Sequence, residues 1–189
     1  FHIHTRTYLC YAKYKCTLGL PGYGDMASIP AHRDMGNIIH FVVTIEGIYS
    51  IQFTPEVGLY IDNMRKKDYI NYSTCRLEFY NSITKFFQPF NNIRVFPKDI
   101  DPHLILLQYL ERVNSVKIGE VISAKPISSD CHWLIPETNF TLYSVSYMSW
   151  KDISHEGAFS VYSKNIISMD RPCLPSISEE AGKIGDELI

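Results

Sequence analysis

The sequence lacks two features that would each point to a class of partner. It has no apolar run of about 18 residues, the length that an α-helix needs to cross a bilayer, so it predicts no transmembrane span. It also has no excess of one charge, since 18 lysines and arginines oppose 20 aspartates and glutamates. These charges are interspersed, and we therefore expect no basic surface for nucleic acid or for an anionic membrane.

Cysteine pairs of the form C-x-x-C are absent too, although the chain contains five cysteines. Structural zinc sites usually draw ligands from C-x-x-C pairs. His2 and His4 would share one face of a strand and could supply two ligands, but the sequence shows no third, so we predict no metal and no cofactor. The stretch Gly22-Tyr23-Gly24 lacks the third glycine and the following helix of a nucleotide-binding fingerprint, which argues against a phosphate site.

The cysteines are more typical of disulfides. An oxidising compartment would pair four of the five, because disulfides form in secreted proteins and are rare in the cytosol. Spacing leaves the pairing open, but we expect Cys131 to join Cys75 or Cys173, and an odd thiol could link two chains into a dimer. The candidates are Cys10, Cys16, Cys75, Cys131 and Cys173.

Two sequons, at Asn71 and Asn139, favour the same compartment because they are glycosylated only in a secretory lumen. The chain begins at Phe1 rather than methionine, which we interpret as either removal of a signal peptide or a fragment of a longer protein. These features together predict a secreted or luminal glycoprotein.

The stretch SSDCHWLIPETNFTLYSV, residues 128–145, places Cys131 beside His132. Neighbouring side chains of a strand point to opposite faces, so this histidine is poorly placed to activate the thiol. Paired carboxylates and catalytic triads are not evident elsewhere. We therefore predict a non-enzymatic protein with no catalytic residues.

Most of the periodicity predicts strands. Residues 36–53 form two β-rich runs broken at Glu46-Gly47, a hairpin signal. VGLYID, from Val57, is predicted as a third strand, and NMRKKDY after it as a turn. TRTYLCYAKYKC (residues 5–16) and NFTLYSVSYMSW (residues 139–150) alternate as strands, the latter with Tyr143, Val145 and Tyr147 on one face, and GAFSVYSKNIISM (residues 157–169) repeats the pattern.

One helix is predicted from Asp101 to Ser115, with Asp101 as N-cap and Pro102 at the first helical position. Residues 17–30 are rich in glycine and proline and are predicted to form a loop. We expect a single β-rich domain over residues 1–175 and a polar tail or linker over residues 176–189.

Three segments carry a resemblance to a known family. VKIGEVISAKPISSDCHW, NFTLYSVSYMSW and AFSVYSKNIISMDRPC together resemble the carboxyl-terminal part of the ependymin-related and eukaryotic LolA-like secreted lipid-binding domains. The upstream GLYIDNMRKKDYINYSTC is similar to their strand-turn-strand ending in cysteine. The resemblance implies an α+β, mostly β fold: a curved antiparallel sheet, or half-barrel, packed on one or more helices around an apolar cavity.

We accordingly predict that the protein binds a lipid or other hydrophobic small molecule. The alternative is an extracellular protein-interaction module of a larger receptor, coat or surface assembly, with a protein partner in place of a ligand. A packed core would explain the same apolar side chains as a ligand cavity does. The candidate lining residues are Phe41, Val43, Ile51, Phe53, Leu59, Tyr109, Phe140, Leu142, Phe159 and Val161.

Overall fold

The computed structural model describes residues 1–14, 17–90, 101–134 and 138–155. In chain order its elements are β1 (His2–Thr5), α1 (Tyr8–Tyr14), α2 (Tyr23–Asp34), β2 (His40–Val43), β3 (Gly47–Phe53), α3 (Pro55–Lys67), α4 (Tyr69–Phe87), α5 (Pro102–Ser115), α6 (Ile118–Ala124), a 3-10 helix (Ser129–Leu134), β4 (Tyr143–Ser149) and α7 (Trp150–His155). None of the helices in these ranges is long and apolar enough to cross a membrane.

The four strands form one open, mixed sheet in the order β1-β2-β3-β4. β1 runs parallel to β2, with His2 opposite His40, and the other neighbours are antiparallel. A parallel pair needs a crossover connection between its strands. Here the crossover contains α1 and α2, and α2 lies beside β1 and β2, the strands that precede and follow it.

The core lies between one face of the sheet and the helices. Along β3 buried residues alternate with half-buried ones, so Tyr49, Ile51 and Phe53 share the covered face. The longest helix, α4, buries Tyr72, Cys75, Phe79, Ile83 and Phe87, three or four residues apart, which is the spacing of one helical face. α2 and α6 pack against α4.

The prediction of a mostly β half-barrel is wrong, because the described part of the chain contains seven helices and a small sheet that is not closed. VGLYID is helical in α3: Pro55 fits a first helical turn, and Val57 and Ile61 are buried four residues apart. NMRKKDY, which was predicted as a turn, is helical as well: it contains the end of α3 and the start of α4. Only Asp68 lies between the two helices, and its side chain accepts a hydrogen bond from the amide of Asn71 at 3.1 Å. The strand-turn-strand that the family resemblance implied at this place is therefore a pair of helices.

Two further segments differ from prediction. TRTYLCYAKYKC contributes only the end of β1 and then enters α1, and the predicted loop over residues 17–30 contains the first eight residues of α2. The loop preference of residues 17–30 is overridden by packing, because Met26, Ala27 and Ile29 of α2 are buried. GAFSVYSKNIISM and the predicted tail lie outside the described residues.

Three predicted elements are confirmed. β2 and β3 form the hairpin that breaks at Glu46-Gly47, and β4 buries Tyr143 and Val145 on one face. α5 begins at Pro102, and its N-cap Asp101 accepts a hydrogen bond from the amide of His103 at 2.9 Å.

An irregularity in α2 is compensated by β4. Pro30 lies inside α2, and proline has no amide hydrogen to donate to the carbonyl four residues earlier, which belongs to Met26. The hydroxyl of Tyr143 donates to that carbonyl at 2.7 Å, in a fully buried contact. Tyr143 thus replaces the missing helical hydrogen bond and fixes α2 against the sheet.

We expect Tyr143→Phe to lower the free energy of unfolding by about 1–3 kcal/mol, because it leaves the buried carbonyl of Met26 unpaired. Urea denaturation of the variant measures this. Adding Pro30→Ala to Tyr143→Phe restores a helical amide donor and should recover part of the loss. Tyr80→Phe, at an exposed position of α4, is the matched control, and an equal effect of both single substitutions would contradict the interpretation.

Candidate metal centre

Strand β1 and the residue that follows it place His2, His4 and Arg6 on one face of the sheet. The amides of His2 and Arg6 donate to the carbonyls of Ile39 and Val43 in and beside β2, at 3.0 and 2.8 Å. Side chains of a strand alternate between faces, so His2 and His4 project to the same face. That face is the one on which α2 lies.

Asp25, in the first turn of α2, is the centre of the cluster. Its side chain is 4% exposed. One carboxylate oxygen, Oδ2, accepts hydrogen bonds from Nη2 of Arg6 at 2.5 Å and from the amide of Gly22 at 2.8 Å. The other, Oδ1, lies 2.6 Å from Nδ1 of His4 and 3.5 Å from Nε2 of His40. Arg6 and Gly22 therefore orient the carboxylate so that Oδ1 faces the histidines.

Asp25 is ionised in this environment. Burial by itself would raise the pKa of the carboxyl, but the hydrogen bond with His4, the proximity of His40 and the charge of Arg6 outweigh it and hold the pKa below its usual range. A deprotonated carboxylate beside imidazole nitrogens is a donor set typical of metal sites.

His40, at the start of β2, is 2% exposed and has its two nitrogens in different surroundings. Nδ1 lies 2.8 Å from Nδ1 of His2, a hydrogen bond between the two rings. Nε2 faces Asp25 and has no hydrogen-bond partner among the described residues. Because His2 occupies Nδ1, Nε2 is the nitrogen that His40 can offer to an ion.

His32, on α2, stacks on His2 with ring centroids 3.8 Å apart and planes 19° from parallel. Burial, together with the neighbouring His2 and His40, lowers the pKa of His32 to about 4. Burial and the same kind of neighbours lower the pKa of His2 as well. Both rings are thus neutral at physiological pH.

These residues line a cavity of about 560 Å³, together with Cys10, Tyr23, Gly24 and Ser28. Within the described ranges, three buried side-chain atoms lack a hydrogen-bond partner: Nε of Arg6, Nδ1 of His32 and Nε2 of His40. All three belong to residues of this cavity. Buried polar groups are nearly always paired, so their concentration here makes this cavity the candidate binding site.

In the part of the chain that the structure describes, two sets of three side chains are close enough to share an ion: His4, Asp25 and His40, and His2, His32 and His40. An imidazole nitrogen binds a metal along the lone pair in its ring plane. Because His2 and His32 are stacked face to face, an ion in the plane of one ring lies outside the plane of the other. The rings of His4 and His40 are inclined at 45° to each other and are not stacked. The set of His4, Asp25 and His40 is therefore better arranged to share an ion.

Of the sequence-predicted lining residues, none in the described ranges lines this cavity. Ile51, Phe53, Tyr109 and Leu142 are buried in the core, and Phe140 packs against it. Phe41 and Val43 are half-buried on the sheet, Leu59 is exposed on α3, and Phe159 and Val161 lie outside the described residues. Binding of a lipid or other hydrophobic molecule stays a prediction.

A disulfide joins Cys75 on α4 to Cys131 in the 3-10 helix, one of the two pairings expected for Cys131. Cys10 is a free thiol, and Cys16 and Cys173 lie outside the described residues. Asn71 is half-buried in the first turn of α4, whereas Asn139 is exposed in a turn. Glycosylation, secretion and a disulfide-linked dimer stay predictions.

Sequence reasoning identified His2 and His4 as possible ligands but missed Asp25, His32 and His40. A helix start at Tyr23 would have placed Asp25 and His32 on α2, but the glycines and proline around it predicted a loop. No family model, curated protein or solved structure matches this chain.

Proposed function

We propose that this protein is a metal-dependent enzyme of the hydrolytic type, with a zinc ion held by His4, Asp25 and His40. The observation that carries the proposal is the convergence of two imidazoles and an ionised carboxylate in a cavity with buried polar atoms that no described residue pairs. Catalytic zinc sites use three such ligands and keep a fourth position open, whereas structural sites are closed by four protein ligands.

The distances fit zinc after a small movement of one residue. Tetrahedral bonds of about 2.05 Å place neighbouring ligand atoms roughly 3.3 Å apart. The 3.5 Å between Nε2 of His40 and Oδ1 of Asp25 already matches this spacing. Nδ1 of His4 must withdraw from its 2.6 Å contact with Asp25, and its side chain, 46% exposed on the edge strand β1, has room to do so.

The surrounding residues support this use of the ligands. Arg6 and the amide of Gly22 hold Oδ2 of Asp25, and His2 holds Nδ1 of His40. Such partners orient the ligands of metal sites and increase their affinity. A zinc ion in this position would supply Lewis-acid chemistry for hydrolysis of a substrate in the cavity. This proposal differs from the sequence-based expectation of a non-enzymatic binding protein.

Zinc binding by the full chain tests the proposal. We expect native mass spectrometry to show one zinc ion per chain, and cobalt substitution to give the visible spectrum of a four-coordinate site. Loss of a partner that only orients a ligand costs roughly 10–100-fold in metal affinity, so His4→Gln should cost at least about 100-fold. His103→Gln, at an exposed histidine of α5, is the control. Absence of zinc binding, or equal affinities of the two variants, would contradict the proposal.

A further inference from the structure

Strand β1, which contains the zinc ligand His4, forms one edge of the sheet. Among the described strands it pairs with β2 alone. The amides of His2 and Arg6 donate to carbonyls in and beside β2, and in a strand the backbone groups of successive residues point to opposite sides. The amides and carbonyls of Ile3 and Thr5 therefore point away from β2, and no described residue pairs with them.

This unpaired edge is continuous with the cavity. Ile3 is 52% exposed, and Thr5 is exposed as well. His4 lies between them, and its side chain, 46% exposed, lines the cavity. A molecule that pairs with the backbone of Ile3 and Thr5 would therefore pass directly beside a zinc ligand.

The chemistry of the edge fits an extended peptide. A row of unpaired backbone donors and acceptors is complementary to the backbone of another strand, which adds to the sheet by main-chain hydrogen bonds. Side chains of the added strand would alternate between the two faces. One opposite Ile3 would lie beside Ile3 and its cross-strand partner Phe41, whose ring contacts that of Phe1 at a centroid distance of 6.0 Å. Apolar cross-strand neighbours stabilise a sheet, so the edge favours a peptide with apolar residues at alternate positions.

We propose that the substrate of the zinc site is an extended peptide bound along β1, with an apolar side chain opposite Ile3. The inference deepens the proposed function by naming its substrate class, and it rests on that function for the neighbouring ion. The reaction is hydrolysis of an amide. The oxygen of water bonds to the carbonyl carbon, the carbon–nitrogen bond breaks, and one proton of the water goes to the nitrogen, so that the products are a carboxylic acid and an amine.

A blocked heptapeptide of alternating valine and serine tests the inference on the full chain. We expect the zinc-loaded protein to cleave it into two products whose masses sum to the peptide and one water. The metal-free protein should bind the same peptide, and the amide hydrogens of Ile3 and Thr5 should then exchange more slowly. The control is the peptide methylated at its valine amides, which lacks the donors that would face β1 and should not bind.

Thr5→Pro removes one amide from the unpaired edge without replacing a zinc ligand, and proline is tolerated on an edge strand where the amide faces solvent. It should lower kcat/KM for the heptapeptide at least about tenfold, or 1.4 kcal/mol, while zinc affinity stays unchanged. Thr5→Val keeps the amide and should change neither quantity.

Three results would overturn the inference while zinc binding stands: no cleavage of the heptapeptide by zinc-loaded protein, equal binding of the methylated peptide, or equal kcat/KM for Thr5→Pro and Thr5→Val. Slower exchange at Ile3 and Thr5 with peptide, in a protein that binds no zinc, would instead overturn the proposed function and leave β1 as a peptide-binding edge.

Discussion

Replacing Asp25 with asparagine should lower the stability of the metal-free protein by about 3–5 kcal/mol, the usual cost of removing one partner of a buried ion pair. Asp25 is 4% exposed and Arg6 11% exposed, so the guanidinium would be left buried without its counter-charge. The side chain also connects β1 to α2 through His4 and accepts from Gly22 at the start of the helix. Urea denaturation in the presence of a chelator measures the loss.

Asp62→Asn is a matched control for this substitution. Asp62 accepts two hydrogen bonds from Arg33, but its side chain is 28% exposed, against 4% for Asp25, so solvent screens this pair more strongly. We expect a smaller loss from this change than from Asp25→Asn. The double variant Arg6→Met/Asp25→Asn removes both charges and should be more stable than Asp25→Asn alone. If Asp25→Asn costs no more than Asp62→Asn, the buried pair does not stabilise the fold.

Removing the disulfide should have an effect of similar size. Cys75 and Cys131 are 56 residues apart, and closing a loop of that length in the unfolded chain corresponds to about 4 kcal/mol in the chain-entropy account. We expect Cys75→Ala/Cys131→Ala to lower the free energy of unfolding by that amount, measured by urea denaturation. The bond attaches the 3-10 helix to the middle of α4.

Two comparisons isolate the contribution of the bond. Cys10→Ala removes a free, partly exposed thiol and should leave stability nearly unchanged. Reduction of the wild type should bring its unfolding midpoint down to that of the double variant, which reductant should not affect. Identical midpoints for the oxidised wild type and the double variant would show that the pairing adds nothing to stability.

The elements that the sequence predicted correctly have residue patterns that fit only one type of secondary structure. α5 has an N-cap, a proline at its first position and a broad apolar face, and β4 alternates strictly over seven residues. α4 was missed because it is built from tyrosine, isoleucine, threonine and phenylalanine, which favour strands locally. Its buried positions, from Tyr72 to Phe87, nevertheless follow helical spacing, and packing against α2 and α6 decides the outcome.

The candidate site was only partly predictable for a topological reason. Alternation in a strand was enough to place His2 and His4 on one face. Asp25 and His40 reach them because β1 and β2 are parallel and α2 lies in the crossover between them. A curved antiparallel sheet, as the family resemblance implied, gives no reason to bring these residues together.

The position of β1 at the edge of the sheet has a consequence for how the protein would respond to metal. Among the described strands β1 pairs with β2 alone, so its attachment depends on one ladder and on the contacts of His2, His4 and Arg6. An ion shared by His4, Asp25 and His40 would cross-link three segments that are distant in the chain. Because ligand binding stabilises the state that binds the ligand, the ion would hold β1 in place. The rate at which a protease trims the first residues would then report how much of the protein carries its ion.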